Sequence, residues 1–166
     1  VNTSSISVEW GNNGNPLTPP TSYQVLIASS SDFIGSVYSS SETFLTNVTS
    51  VTLTPNSSYY FRVKTTGISG SSSSFDTTIA TYTLANSPGI IGFNVFTDSI
   101  SVILAANNNP VGTTLVITTG SFETATSSSG VLDVSYTTLT ITGLTVDTAY
   151  IVQARAINYT NLPSTI

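Results

Sequence analysis

Apolar residues recur at every second position in a series of short runs. Ile6, Val8 and Trp10 form one row, Tyr23, Val25 and Ile27 a second, Val51 and Leu53 a third, and Tyr59, Phe61 and Val63 a fourth. Further along, Ile100, Val102 and Leu104, then Leu115 and Ile117, then Leu139 and Ile141, then Tyr150, Val152 and Ala154 repeat the alternation. A period of two sends successive side chains to opposite faces, so each run predicts a strand with one face inward. A closing strand is expected near Thr77–Thr83 and a new opening strand near Ile90–Val95. Turn-forming stretches separate the runs: Asn13–Gly14, Pro19–Pro20, Pro55–Asn56 and Asn107–Pro110. No stretch sustains a helical period, which predicts an all-β chain built as antiparallel sandwiches.

The runs also repeat as a set. VNTSSISVEW at Val1–Trp10 returns as VFTDSISVIL at Val95–Leu104, and GNNGNP at Gly11–Pro16 returns as AANNNP at Ala105–Pro110. LTPNSSYYFRVK at Leu53–Lys64 aligns with LTVDTAYIVQAR at Leu144–Arg155. The shift of about 94 residues is a whole-domain period rather than that of a solenoid. Two matches in the same order indicate a duplication. The join lies in TYTLANSPG, Thr81–Gly89, where Pro88 cannot donate to a ladder. The domains are therefore read as 1–86 and 87–166, with a junction too short for a flexible tether and hence expected to be stiff.

Val1 aligns with Val95, so the first copy is expected to lack most of the opening strand that Ile90–Phe93 provides in the second. Ile166 aligns near Ile79, so the second copy is expected to be truncated in its last strand. Either the sequence is a window onto a longer array or neighbouring chains complete the sheets by strand addition; the window is the favoured expectation.

Composition adds a constraint. Charged residues make up 7% of the chain, with eight carboxylates against Arg62, Lys64 and Arg155, for a net charge of −5. Apolar residues at 39% exclude the disorder that scarce charge and scarce apolar content would together imply. Ser and Thr supply about a third of the chain, so hydroxyls and amides must solvate the surface in place of ions. That bias suits an extracellular setting. An acidic chain without a basic stripe is a poor ligand for nucleic acid. No apolar run approaches the roughly 20 residues that a membrane-spanning helix needs.

Candidate chemistry is sparse. The chain has no His and no Cys, which removes the usual general base, the thiolate nucleophile and thiolate metal sites. Glu9, Asp32, Glu42, Asp76, Asp98, Glu123, Asp133 and Asp147 are scattered over turns and outward positions, and none falls in a calcium-loop spacing. The expectation is a chain that is not an enzyme and takes no cofactor. The Asn-x-Ser/Thr triplets at Asn2, Asn47, Asn56 and Asn158 are no more than such a composition produces by chance. The loops Gly11–Pro16 and Ile68–Asp76 should share one end of the first sandwich, where their Asn and Ser residues serve turns or a polar ligand surface. By alternation Tyr60, Arg62 and Lys64 point outward beside Gln24 and Leu26, and Arg155 repeats the position of Lys64. They form either an ordinary solvated face or an interaction face for a neighbouring subunit.

At this point the sequence resembles the fibronectin type III family over nearly its whole length. Trp10 matches the family's Trp on the second strand, and Leu53, Pro55 and Tyr59 match the Leu-x-Pro-x-x-x-Tyr that leads into the sixth. The second copy keeps Leu144 and Tyr150 but has Val146 for the Pro and Leu104 for the Trp. The resemblance implies two tandem immunoglobulin-like sandwiches, with Tyr59 as a corner whose hydroxyl bonds back to upstream backbone. It implies cores around Trp10, Tyr23, Leu53, Pro55, Tyr59 and Phe61, and around Leu104, Leu144 and Tyr150. The Asn-rich loops and Ser/Thr-rich turns look like repeats of long secreted bacterial surface proteins. The expected role is a structural or interaction module of a fibre or adhesin at the cell surface. Its expected partners are neighbouring repeats or identical subunits, with surface glycans as a further candidate. An accessory spacer of a secreted polysaccharide-degrading enzyme and a phage or virion surface domain are the alternatives.

Overall fold

A computed structural model describes residues 1–34, 37–120, 127–131 and 136–164. Among these, every regular element is a strand, and all pairings are antiparallel. The chain divides into two compact units: Val1–Leu53 with Ser57–Thr83, and Thr54–Asn56 with Leu84–Ile166. The boundary read from the sequence after Asn86 falls inside the second unit. Ala85 is buried in that unit's core, and the Asn86 amide donates to Asn109 Oδ1 at 2.9 Å.

The first unit contains β1 (Ile6–Glu9), β2 (Ser22–Ala28), β3 (Val37–Thr43), β4 (Asn47–Ser50), β5 (Ser58–Thr66) and β6 (Ile79–Tyr82). They form a narrow sheet, β1-β4, and a wide one, β3-β2-β5-β6. Ile6, Val25, Ile27, Leu53, Tyr59 and Phe61 close a core between the sheets, with Val8, Trp10, Val48 and Val63 packed against it. The alternation that placed these residues inward is the pleat itself. Val51 departs from it. The strand lies earlier, at Asn47–Ser50, and Val51 is 61% exposed. Thr52, at φ 61°, turns the chain so that Leu53 enters the core, tied down by its amide to the Ser4 carbonyl at 3.0 Å. Leu53 is thus a core residue reached through a turn, not along a strand.

The second unit contains β7 (Gly89–Val95), β8 (Ser99–Ala105), β9 (Thr114–Thr119), β10 (Ser127–Val131), β11 (Tyr136–Thr142) and β12 (Val152–Ile157). Its sheets run β11-β8-β7 and β10-β9-β12. Val102, Leu104, Leu115, Ile117, Ile141 and Ala156 are almost wholly buried between them, with Leu144 packed against the cluster. Tyr150 precedes β12 instead of starting it. Its hydroxyl accepts the Thr145 amide at 2.8 Å, a bond back to backbone five positions upstream that fixes the approach to β12. In the first unit Tyr59 is 1% exposed and lies in the core.

Buried amide side chains hold the ends of the second unit. Asn109, 6% exposed, donates to the carbonyls of Asn86 at 2.8 Å and Ala106 at 2.9 Å. Asn158 Oδ1 accepts from the amides of Thr160 and Leu162 and from the Thr160 hydroxyl. These bonds tie loop backbone groups to side chains anchored in the unit.

Tyr150→Phe keeps the ring and removes the acceptor of the Thr145 amide, so the second unit should lose about 1 kcal/mol. Urea unfolding checks this, and an unchanged midpoint would show that the corner contributes nothing to stability.

Candidate interaction surface

The outward face of β5 carries Tyr60, Arg62 and Lys64, and the register sets Leu26 opposite Arg62 and Gln24 opposite Lys64. The face is not bare. Arg62 lies with its guanidinium carbon 4.0 Å from the centroid of the Phe33 ring and 4.3 Å from that of Phe75. Lys64 Nζ approaches the Phe75 ring at 5.2 Å. Two aromatic quadrupoles therefore balance a cation that the sheet half-buries. Each such contact stabilises by about 0.5–1 kcal/mol at the surface and more when desolvated. Arg62 Nε is buried with no hydrogen-bond partner, so the rings carry much of what solvent would otherwise supply.

Local sequence explains how the rings get there. Phe33 sits at φ 58°, an unfavourable conformation for a bulky residue, at the end of a Ser30–Ile34 turn. The turn is held by Asp32, whose Oδ1 accepts the Ser30 hydroxyl at 2.6 Å and the Ile34 amide at 3.0 Å. Those two bonds, the Ser30 hydroxyl first, hold the Asp32 carboxyl below its ordinary value of 3.8. Phe75 comes from the loop on the far side of β5, whose backbone is pinned by Asp76 N to Val63 O at 2.8 Å and Ser73 N to Thr65 O at 2.9 Å.

The same loop borders a shallow cavity of about 450 Å³ at one end of the first unit. Asn13 and Asn15 line one side and Ser73, Ser74 and Asp76 the other, with Trp10 between them. The Asn residues are engaged in their own loop. Asn13 takes φ 48°, Asn12 Oδ1 accepts the Gly14 amide, and Asn15 Nδ2 donates to the Asn12 carbonyl at 2.7 Å. Trp10 and Tyr23 pack tilted at 58° with centroids 5.7 Å apart. Pro55 is buried, while Arg155, half-buried, sits on β12 opposite Val116 in the second unit.

Among the described residues, no three His, Cys, Asp or Glu side chains gather as a metal site would require. Glu9, Asp32, Glu42, Asp76, Asp98 and Asp147 are each exposed, and Glu123 and Asp133 lie outside the described residues. Of the four Asn-x-Ser/Thr positions, Asn2 and Asn47 are exposed. Asn56 and Asn158 are 1% and 3% exposed, and Asn56 is bonded in the second unit to Thr113 Oγ1 and the Tyr159 amide. A glycan on either buried Asn is incompatible with the fold.

No family model and no curated protein matches the chain. Among solved structures it is similar to a two-domain fibronectin type III segment of chicken tenascin, with a TM-score of 0.64 at 18% identity over 99% of this chain and 89% of that one. The fold is that of tandem fibronectin type III domains. The FN1–FN3 domains of chicken CNTN1 also align, with a TM-score of 0.39 at 16% identity over 99% of this chain. This chain spans 61% of that structure's length. At such identities the likeness concerns the fold alone.

Periodicity found the cations on β5 but not their aromatic partners. Phe33 and Phe75 stand in Ser-rich loops with no apolar neighbour at a strand spacing, and only the β5 register brings them to Arg62. Arg62→Gln should cost the first unit about 1–2 kcal/mol by loss of both ring contacts, read as a lower urea midpoint. A shift within error would show the sandwich to be incidental. Asp32 adds a pH dependence of known sign. Because folding lowers its pKa, its contribution is complete above 3.8 and fades as pH falls through the depressed value. Phe33 ring resonances should therefore broaden or move only below that point.

Proposed function

We propose that this chain is a structural and interaction module of an extracellular surface protein, a fibre or an adhesin. In this reading it is one stretch of a repeat array or a subunit that assembles with its own kind. The observation that carries the proposal is the tandem itself: two fibronectin type III-like sandwiches, each with its own core, made from one duplicated sequence. Such modules act through the surfaces they present and the spacing they set. The surface composition supports an outside location, since hydroxyls and amides solvate a chain of mean hydropathy +0.24 with 7% charged residues. Secreted bacterial surface proteins are the setting that the Asn-rich loops and Ser/Thr-rich turns suggest.

The experiment is immunogold labelling of intact source cells with antibody to the chain, followed by intact-mass measurement of the material recovered. Surface label is expected. Label only after permeabilisation would overturn the extracellular reading. A mass near 17.3 kDa marks a free-standing subunit, and a much larger one marks an array. A catalytic domain on the same polypeptide would replace the reading with that of an enzyme's spacer.

A further inference from the structure

Three loops meet at one end of the first unit: those between β1 and β2, between β3 and β4, and between β5 and β6. The register fixes this, since Ser22 at the start of β2 pairs with Thr66 at the end of β5, and Tyr23 pairs with Thr43 at the end of β3. Each loop raises large apolar side chains into solvent. Leu17 is 78% exposed, Phe44 and Leu45 are 67% and 63% exposed, and Ile68 is 79% exposed. The turns beneath them are closed by hydrogen bonds. The Thr21 amide donates to the Pro16 carbonyl at 3.3 Å, the Leu45 amide to Thr43 Oγ1 at 3.0 Å and the Gly67 amide to the Ser71 carbonyl at 2.9 Å. Residues 11–21, 44–47 and 65–75 include no charged side chain.

The second unit repeats two of these tips. The Thr113 amide closes on the Pro110 carbonyl at 3.2 Å as that of Thr21 does on Pro16, and the Asn158 amide closes on the Leu162 carbonyl at 3.0 Å as that of Gly67 does on Ser71. Val111 then stands where Leu17 does and Tyr159 where Ile68 does, 62% and 54% exposed. The two turns touch, since a β-carbon on Gly112 would stand 3.1 Å from the Tyr159 hydroxyl. Val111 keeps its exposure with β7 paired to β8, and Ile68 keeps its own with β6 paired to β5, so the tips do not arise from an unfilled place in a sheet. Turn geometry asks for Gly, Pro, Asn, Asp or Ser, and nothing in it calls for Leu, Phe or Ile at an apex. Single exposed apolar residues are ordinary, whereas a cluster of them marks a contact.

We propose that this loop end of the first unit docks on a lipid surface, with Leu17, Phe44, Leu45 and Ile68 entering the interface of a layer of zwitterionic headgroups. Shape and charge choose this occupant. The tips are convex apices of separate turns, and a lipid layer yields around them, whereas a folded partner would need a matching hollow for each. The Ser, Thr and Asn side chains between the tips can bond to headgroups, and no ion has to be desolvated. Attraction to anionic lipid needs Lys or Arg near the surface, and these loops carry none on a chain of net charge −5. Apolar area therefore supplies the affinity, and the docking is shallow. The inference goes beyond the reading of the chain as a surface module and stands or falls apart from it.

The test is flotation of the 166-residue chain with phosphatidylcholine vesicles, and with vesicles made partly of phosphatidylserine. Binding to phosphatidylcholine should change little between about 0.1 and 1 M salt, because no ion pair is there to be screened. Phosphatidylserine should add nothing. Leu17→Ser, Phe44→Ser and Ile68→Ser each remove a side chain that the fold leaves in solvent, so urea midpoints should hold while vesicle affinity falls about tenfold per tip. Phe44→Trp should bind as the wild type does. On vesicle addition its emission should move further to the blue than that of the wild type, whose sole tryptophan is Trp10. Absence of flotation with phosphatidylcholine overturns the inference. So does binding that needs phosphatidylserine and vanishes in salt, or binding that the three Ser variants share undiminished. Sedimentation velocity without lipid adds one more check: a dimer that the Ser variants abolish assigns the tips to a second copy of the chain and overturns the lipid contact. None of these outcomes alters the surface label that tests the module reading.

Discussion

Water is excluded from a β-sandwich only where both sheets are present, and nearly every other feature of this molecule follows from where that mutual cover holds and where it stops. Burying one Val, Leu, Ile or Phe side chain stabilises by about 1.5–3 kcal/mol. Almost fully buried residues line the middle strands, with Ile27 on β2, Phe61 on β5, Val102 and Leu104 on β8, and Leu115 and Ile117 on β9, and Ile6 on β1, Ile141 on β11 and Ala156 on β12 join them. Elsewhere the same residue types are exposed, as Ile79 on β6 and Phe93 on β7 show. The pleat decides which face a residue points to, and burial depends in addition on what packs against that face.

Everything outside the cores is solvated with few ions. Neutral groups do the work that salt bridges do elsewhere: Ser7 with Thr49 and Ser101 with Thr140 pair hydroxyls across strands at 2.8 Å, and Asn109 and Asn158 serve loop backbone. A neutral hydrogen bond contributes about 1 kcal/mol and responds weakly to salt, whereas exposed ion pairs contribute less and are screened. A Ser/Thr-rich composition therefore yields a surface whose internal bonding is largely indifferent to ionic strength.

The sequence was legible where alternation and duplication spoke together. The strands around Ile6, Tyr23, Tyr59, Ile100, Leu115 and Leu139 were read from apolar rows, and the fold class followed from their spacing. Where hydroxyls replaced apolar residues the signal vanished: β3 reads VYSSSET and β10 SSSGV, and neither shows a row. Val51 was misassigned for the opposite reason. It stands two positions before Leu53 and so mimics a strand, but Thr52 in the left-handed region breaks the period. The candidate surface was half legible. A cation on an outward face is visible from spacing alone, whereas the loop aromatics that sandwich it depend on turn geometry that no periodicity encodes.

The two copies act as each other's control and separate the demands of the fold from local ones. Leu53 and Leu144, and Tyr59 and Tyr150, stand at matching positions before or within β5 and β12, where the chain must cross between sheets. Trp10, packed against the first core, is replaced by Leu104, which is fully buried in the second. Arg62 is replaced by Gln153, and the aligned sheet forms without a guanidinium there. The Phe33–Arg62–Phe75 stack is therefore no requirement of the sandwich. It belongs to the first unit's own loops, tying the turn after β2 and the loop after β5 to the sheet between them. What differs between the copies here is thus concentrated at loops, the places where a repeated module can acquire distinct contacts while its cores stay the same.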